Sequence, residues 1–411
     1  MRRRDLLAAA AVTGASAAWA GSSRAAGEAS VRIGMIQPMS GGLAAYATEG
    51  QPAFDYMIRK INAEGGIKAL GGAKIEIALA DDASQPSRTA SEARRLVTEA
   101  GCKFLMGSML SGQMLAVTPV VDELKIPTLS IWAGGVKSPY MFSLGFPYDR
   151  GYADTMSSFI TFLAKQKGFK ISTVATAYSN YEAGQQVNNF LKPKLTAAGF
   201  KIVGDVPLDT KAQDQTAAAI LLRSMKPDVV TGLVTPRDGI LLQQARFNLS
   251  AYDSLYVGGT GGYTDLSLWK DLGREIGTKT LTRNLFGMTG FSAGAKLDSI
   301  QAIVKELNGA DLKVPIGQAA IQAAQAARVL QATLEGSGGS TEPDALLKSL
   351  TAVKIPLGDP RLYLAKPEGL SFGPDRMLQD GSALFIQWTP EQTQEVVFPT
   401  QFAQVDPRPR S

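Results

Sequence analysis

Short apolar runs alternate with one-sided apolar spacings along most of this 411-residue chain. Val31–Ile36 reads as a buried strand, ended by Pro38-Met39-Ser40-Gly41-Gly42. From Ala53 the apolar residues fall at Phe54, Met57, Ile58 and Ile61, the spacing of an amphipathic helix, which Gly65-Gly66 stops. Ile75, Ile77 and Leu79 alternate as a strand does, and Asp81-Asp82 closes it. Ser87 is placed to cap the next helix, with Ala90, Ala93, Leu96 and Val97 on its inner face. Phe104–Met106 predicts a strand, Leu115–Leu124 a helix and Ile126–Ile131 a strand.

The pattern restarts after a break near Phe146-Pro147-Tyr148. Strands are predicted at Ile171–Ala177, Val229–Leu233 and Leu255–Val257, and helices at Glu182–Ala198 and Arg237–Asn248, with Leu266–Leu272 in a short helix. Such β-α alternation implies parallel sheets covered by helices on both faces, so the fold class is α/β with two successive units. The final third forms no third unit. It holds a strand at Leu285–Met288, helices at Leu297–Leu307 and Gln318–Leu334, and late strands at Leu370–Phe372, Ala383–Trp388 and Val396–Phe398 that return to complete existing sheets. Gly336-Ser337-Gly338-Gly339-Ser340 is a turn too short to link independent domains.

Composition narrows the chemistry. Apolar residues make up 45% and charged residues 19%, the balance of a chain that buries large cores. The chain contains no histidine, so a Ser-His-Asp triad and a His-ligated metal are both out of reach. Its single cysteine, Cys102, rules out an internal disulfide, and its place beside a buried strand suggests core packing. No Walker A loop or nucleophile elbow is present, and Gly258-Gly259-Thr260-Gly261-Gly262 lacks dinucleotide spacing, so it reads as a loop. No cofactor or metal is expected.

The net charge of +5 overstates basicity. Arg2, Arg3, Arg4 and Arg24 against Asp5 give residues 1–26 a net +3, leaving the rest near +2. That is too little for nucleic acid, and no basic patch stands out. Residues 1–26 are themselves the pattern of a cleavable export signal: basic Arg2-Arg3-Arg4, Leu6-Leu7, an Ala-rich stretch and Ala18-Trp19-Ala20 as a cleavage site, with Ala25-Ala26 as a second choice. The paired arginines resemble a twin-arginine signal. The expected location is the periplasm.

Ile33-Gly34-Met35-Ile36-Gln37-Pro38-Met39-Ser40-Gly41, with Tyr46 shortly after, resembles the opening of branched-chain amino-acid binding proteins. Ile61-Asn62-Ala63-Glu64-Gly65-Gly66-Ile67, Ala80-Asp81-Asp82-Ala83-Ser84-Gln85-Pro86, Gly107 to Gly112 and Ile126-Pro127-Thr128-Leu129-Ser130 continue it. Tyr181-Glu182-Ala183-Gly184 and Gln244-Ala245-Arg246 extend it, so it runs from about Val31 to about Thr400. The resemblance implies a type I periplasmic binding fold: two Rossmann-like lobes joined by three crossing strands. It assigns residues 31–150 plus 283–372 to lobe 1 and 151–282 plus 373–405 to lobe 2.

In open α/β sheets ligands sit beyond the carboxyl ends of strands, where helix N-termini attract anions. Ser111-Gly112 lies on such a turn, and Ser111 matches a family serine that binds the ligand carboxylate; otherwise it is a plain helix cap. Trp132-Ala133-Gly134-Gly135 follows a strand. The family uses backbone amides and a hydroxyl there, and this chain has glycine in place of the hydroxyl residue. Trp132 is an aromatic wall or a core residue. Tyr181 and Tyr46 match tyrosines that the two lobes lay across the ligand.

Two departures bear on the ligand. Amino-acid binders of the family carry a second-lobe carboxylate for the ligand ammonium, and the matching position here is Thr260. A second pocket tyrosine falls near Val234-Thr235, where neither residue is aromatic. A buried ammonium without a counter-charge is costly, so the expectation is a small aromatic or branched carboxylate without an amino group. Asp81-Asp82 point opposite ways on an extended segment and are read as structural. Arg237 is read as solvated.

The expected partners are that small molecule and an inner-membrane ABC permease, with the protein a monomer and no enzyme. A ligand-sensing receptor component of the same fold, a binder of a branched-chain amino acid or amide, and an α/β enzyme using carboxylates alone are the alternatives.

Overall fold

A computed structural model describes residues 30–408 of the chain. The expected export signal, residues 1–26, lies outside the described residues. The first sheet consists of β1 (Ser30–Gln37), β2 (Lys74–Asp81), β3 (Leu105–Gly107), β4 (Thr128–Ser130) and β5 (Met141–Ser143), all parallel, in the order β2-β1-β3-β4-β5. Helices α1 (Ala44–Ala63), α2 (Pro86–Thr98) and α3 (Ser111–Leu124) link β1 to β4. β1 shows why its sequence is a continuous apolar run. Ile33 and Met35 pack with Phe54, Met57 and Ile61 of α1, while Ile36 packs with Leu96 of α2 and Val117 and Val121 of α3. A parallel strand covered on both faces has no solvent side. Each such side chain contributes about 1.5–3 kcal/mol by leaving water. Cys102 is buried in the second of these clusters and carries no disulfide.

The second unit begins after the break. It runs through α4 (Asp154–Gln166), β6 (Thr173–Ser179), α5 (Glu182–Ala197), β7 (Lys201–Leu208), α6 (Thr216–Met225), β8 (Val229–Gly232), α7 (Pro236–Asn248), β9 (Leu255–Gly258), the short α8 (Gly261–Thr264), α9 (Leu268–Thr280) and β10 (Leu285–Thr289). The chain then supplies α10 (Asp298–Gly309), α11 (Gln318–Glu335) and α12 (Pro343–Ala352) to the first unit, where α11 lies along α1 and Lys60 of α1 pairs with Glu306 of α10 at 2.6 Å. β11 (Lys354–Ile355) and β12 (Leu370–Ser371) form a small antiparallel pair. β13 (Leu384–Trp388) and β14 (Gln394–Phe398) return antiparallel to the second sheet, whose order is β14-β13-β10-β9-β8-β6-β7. Phe159 of α4 explains the return: its ring stacks on Phe385 of β13 at 4.0 Å and meets Phe286 of β10 edge-on at 5.4 Å. The protein is thus a two-lobed α/β molecule crossed three times by its chain, after β5, after β10 and before β13.

Several expectations need adjusting. α1 starts at Ala44, ahead of Ala53, and carries Pro52 within it, which brings Tyr46 onto its first turn. Ser87 is inside α2, whose first residue is Pro86 and whose cap position is Gln85. Leu370-Ser371 pairs with β11 and completes neither main sheet. The helix expected at Leu266–Leu272 runs from Leu268 to Thr280, with a break at Gly273 (φ 74°). β10 falls inside 283–372, yet it pairs with β9 and so belongs to the second sheet. The second crossing therefore follows Thr289.

Asp81 and Asp82 are structural. Asp81 accepts from the amides of Met39 (2.9 Å) and Ala83 (2.7 Å) and from the Ser40 hydroxyl (2.8 Å), while buried Asp82 accepts from the amide of Ser84 and the hydroxyl of Thr89 at 2.8 Å each. Arg246, from the motif at 244–246, is fully buried. Its guanidinium donates to the carbonyls of Ala251, Thr280 and Arg283 and lies over the Tyr256 ring at 4.3 Å.

Lys366 ties two crossings together. Its ammonium donates to the Ser382 carbonyl and lies 4.9 Å from the centre of the Phe146 ring. Burial lowers its pKa to about 8, against the pull of Asp380. Below about pH 8 both folded and unfolded chains hold this proton. Between about 8 and the ordinary lysine value of about 10.4 the unfolded chain holds a proton that the folded one has released, so stability rises with pH across that window. Thermal denaturation of wild type and Lys366→Met from pH 7 to 10 tests this: the wild type should gain on the variant above pH 8, and parallel curves would refute it.

Candidate functional site

The turns after β1, β3 and β4 of one lobe face those after β6, β8 and β9 of the other. Beneath the first set, buried Gln37 at the end of β1 donates to Gln51 (2.8 Å) and accepts from the Ser108 amide (3.0 Å), which fixes the path out of β3. The chain reaches Leu110 in an extended conformation and α3 begins at Ser111. No side chain caps this helix, and the amides of Ser111, Gly112 and Gln113 have no partner within the described chain. These N–H groups and the helix dipole make an electropositive end.

Ser111 is therefore no helix cap. Its hydroxyl lies 2.7 Å from the Tyr148 hydroxyl, and the Gly134 amide donates to it at 3.4 Å. Gly112 is exposed with open space beside it. Tyr148 also donates to Oε2 of Glu182 at 3.0 Å, so one hydroxyl connects the first turn of α3 to the first turn of α5. Burial pushes the Tyr148 phenol well above its ordinary value; the Ser111 hydrogen bond opposes this and Glu182 reinforces it.

The turn after β4 is organised from below. The Ser130 hydroxyl donates to the Met109 carbonyl at 2.6 Å and accepts from the amides of Trp132 (3.1 Å) and Ala133 (2.9 Å). Ala133 is fully buried, and its carbonyl accepts from Ser143 at 2.7 Å. The expectation that Ala133 offers its amide to a ligand is thus corrected: that N–H is already satisfied by Ser130. Gly134 has a different role. A Cβ there would stand 2.1 Å from Cε1 of Tyr148, so only glycine leaves room for that ring.

Aromatic side chains enclose the cleft. Tyr46 meets the half-buried Trp132 edge-on, with ring centres 5.3 Å apart. Tyr181 occupies the cap position of α5, which glycine at 184 allows to pack against β6: a Cβ on Gly184 would lie 2.0 Å from the Ser179 carbonyl. Tyr181 keeps 39% of its surface exposed while its phenol is raised well above the ordinary value, by burial first and then by Tyr152, Tyr46, Tyr148 and Glu182. Both observations hold for a residue on the wall of an open cleft. Tyr152, one helical turn beyond Tyr148, packs edge-on against Phe146 at 5.5 Å.

Thr260 adopts φ 36° and ψ −127°, left-handed backbone that a β-branched residue enters only under strain. Its side chain caps nothing in α8. Five residues on, Asp265 closes α8 and approaches the other lobe. It raises the Tyr46 phenol, after burial and ahead of Glu49, and it raises the Glu49 carboxyl, again after burial. Thr235 caps α7, accepting from the Asp238 amide, and both Thr235 and Ser179 (2.5 Å) donate to the buried Asp238 carboxylate. Arg237 donates to the carbonyls of Thr210 and Ala212, away from the cleft.

Of the residues expected from sequence, the structure joins Ser111 and Gly134 to Tyr148 and Tyr46 to Trp132, while Gly112 lies in the first turn of α3, Tyr181 opens α5 and Thr260 precedes α8. Sequence reasoning missed Tyr148, Tyr152, Glu182, Glu49 and Asp265. Tyr148 and Tyr152 belong to the segment that appeared only as a break in periodicity, and their four-residue spacing was its one visible signal. A second depression, of about 420 Å³ and lined by Lys167, Lys170, Asp228, Asn284 and Arg408, lies at the amino ends of the second-sheet strands, remote from this cleft.

Residues 30–381 match the family model described as periplasmic binding protein. The chain is 26% identical over 371 residues to Leu/Ile/Val-binding protein homolog 8 of Brucella abortus (strain 2308), an alignment covering 88% of each chain. Its fold is similar to that of the branched-chain amino acid transporter substrate binding protein LivJ from Streptococcus pneumoniae in complex with isoleucine, with a TM-score of 0.72, 19% identity, 90% of this chain and 100% of that one covered. It is also similar to a solute binding protein of an ABC transporter from Rhodopseudomonas palustris BisB5 in complex with 3,4-dihydroxy benzoic acid, with a TM-score of 0.68, 21% identity, and 89% and 95% covered. The two lobes, the three crossings and the match over most of the chain make this protein a member of the periplasmic binding protein family, with the type I fold of ABC-transporter substrate-binding proteins.

Proposed function

We propose that the protein captures a small aromatic or branched carboxylate lacking an amino group, closes its lobes upon it and delivers it to an inner-membrane ABC permease. It acts as a periplasmic monomer and catalyses no reaction. The observation that carries the reading is the meeting of two hydroxyls, Ser111 and Tyr148, with the unpartnered amides that open α3. Hydroxyls and a helix N-terminus converge on acceptors, and a carboxylate is the acceptor that gains most. Tyr46, Trp132 and Tyr181 supply flat apolar walls for the body of the ligand. Thr260 gives no negative charge where an ammonium would need one. The 3,4-dihydroxy benzoic acid of one similar structure is an aromatic carboxylate without an amino group and supports this class, whereas the isoleucine of the other carries an amino group and supports the second reading below. A second reading, a branched-chain amino acid, is favoured by Glu49 and Asp265, whose carboxyls approach Tyr46 from opposite lobes.

Matched ligand pairs separate the two readings. Calorimetric titration should show phenylpyruvate binding more tightly than phenylalanine, and 4-methyl-2-oxopentanoate more tightly than leucine. Thr260→Glu should narrow or reverse the gap. Tighter binding of the amino acids by the wild type would establish the second reading instead.

Ser111→Ala removes a charge-assisted hydrogen bond of about 1.5–3 kcal/mol, so carboxylate affinity should fall about ten- to a hundredfold with little change in melting temperature. Unchanged affinity would take Ser111 out of the site.

A further inference from the structure

The hydroxyls between the lobes can be counted proton by proton. A tyrosine hydroxyl has one hydrogen to donate, and Tyr148 faces two neighbours, the Ser111 hydroxyl at 2.7 Å and the Glu182 carboxylate at 3.0 Å. An ionised carboxylate only accepts, so the Tyr148 hydrogen goes to Glu182. The Ser111 hydrogen must then go to the Tyr148 oxygen, and the Gly134 amide completes the line by donating to Ser111. The run from Gly134 through Ser111 and Tyr148 to Glu182 is polarised in one direction, from the first lobe towards the second. In this arrangement neither hydroxyl has a hydrogen left for a ligand.

We propose that Glu182 is an internal carboxylate that takes the ligand's place on Tyr148 in the empty cleft, and that Tyr148 and Glu182 together determine which ligands the cleft accepts. An incoming carboxylate displaces Glu182, takes the hydrogens of both Tyr148 and Ser111 and adds the α3 amides, which Glu182 does not touch. Binding thereby exchanges the bond from Tyr148 on the first crossing to Glu182 of α5 for one made through the ligand. Gly134 is the permissive residue. The Tyr148 ring fills the volume a side chain at 134 would need, so Tyr148 and not residue 134 presents a hydroxyl to the cleft. Ammonium ions, which only donate, cannot replace Glu182 as an acceptor and leave the contact in place.

The displacement rests on the carboxylate reading of the cleft; the cross-lobe contact does not, and the two are measured separately. Small-angle scattering on the ligand-free protein reads the contact. Tyr148→Phe, which removes the hydroxyl bonded to Ser111 of the first lobe, should increase the radius of gyration over wild type, and an unchanged radius would overturn the contact. Titration with 4-methyl-2-oxopentanoate and phenylpyruvate reads the displacement. Glu182→Gln removes the competing charge and should raise affinity about tenfold, whereas Tyr148→Phe should lower it by a similar factor. Equal or weaker binding by Glu182→Gln would overturn displacement. Gly134→Thr should lower affinity by expelling the Tyr148 ring, and Gly134→Thr with Tyr148→Ala should recover it by exchanging the hydroxyl's source; no recovery would overturn the role assigned to Gly134. If leucine and phenylalanine bind more tightly than their oxo acids to wild type, the amine-free reading fails, their own carboxylates become the probe for displacement with Glu182→Gln, and the scattering result still decides the contact.

Discussion

A strand that runs parallel to its neighbour has to send its chain back across the sheet before the next can form. Every turn of a given kind is thereby gathered at the same edge. Here β1, β3 and β4 end at Gln37, Gly107 and Ser130, and β6, β8 and β9 end at Ser179, Gly232 and Gly258. The turns that follow carry Tyr46, Ser111, Trp132, Tyr181, Glu182 and Thr260. The cleft is a consequence of this constraint. Two sheets, each with its carboxyl edge turned to the other, bring together residues that lie up to about two hundred positions apart in the chain.

Such edges are rich in polar groups that cannot be left unpaired. Ser130 shows how the first lobe manages this: one hydroxyl holds the turn at 109 and the turn at 132–133 together. Gln322 of α11 donates to the carbonyls of Ile131 and Leu144 and fastens the same edge from behind. With these scaffold amides consumed in this way, the first amides of α3 are left without a partner among the described residues, as are those of α5. The acidic groups, Glu49, Asp265 and Glu182, stand around the opening and on the opposing lobe.

The crossings do more than join the lobes. The first one bears Tyr148 and Tyr152 on an irregular helical turn, residues 148–153, so the segment that links the two bodies also supplies part of the wall between them. Lys366 and Phe146 hold the first and third crossings against each other. A change in the angle between lobes is therefore felt at the site through Tyr148, with no intermediary.

The alternation of apolar periods determined the α/β class, the two units and most strand positions, because each parallel strand is apolar on both faces and each helix on one. It also placed the candidate turns, and the order of short motifs pointed to the family. What it left undecided follows from contacts made by distant residues. The long reach of α1 back to Ala44 depends on packing against α11, and β10 joins the second sheet because β9 and β13 hold it on either side. Ala133 looked available until Ser130 took its amide. Tyr148 has no distinguishing pattern around it; only the tertiary structure seats its ring on Gly134 and its hydroxyl between Ser111 and Glu182, three residues whose meeting no local period encodes. The sequence by itself determined which edges gather the candidate turns, since that depends on strand direction alone, and the tertiary structure decided which donors and acceptors remain free there, since that depends on how every neighbouring polar group is already satisfied.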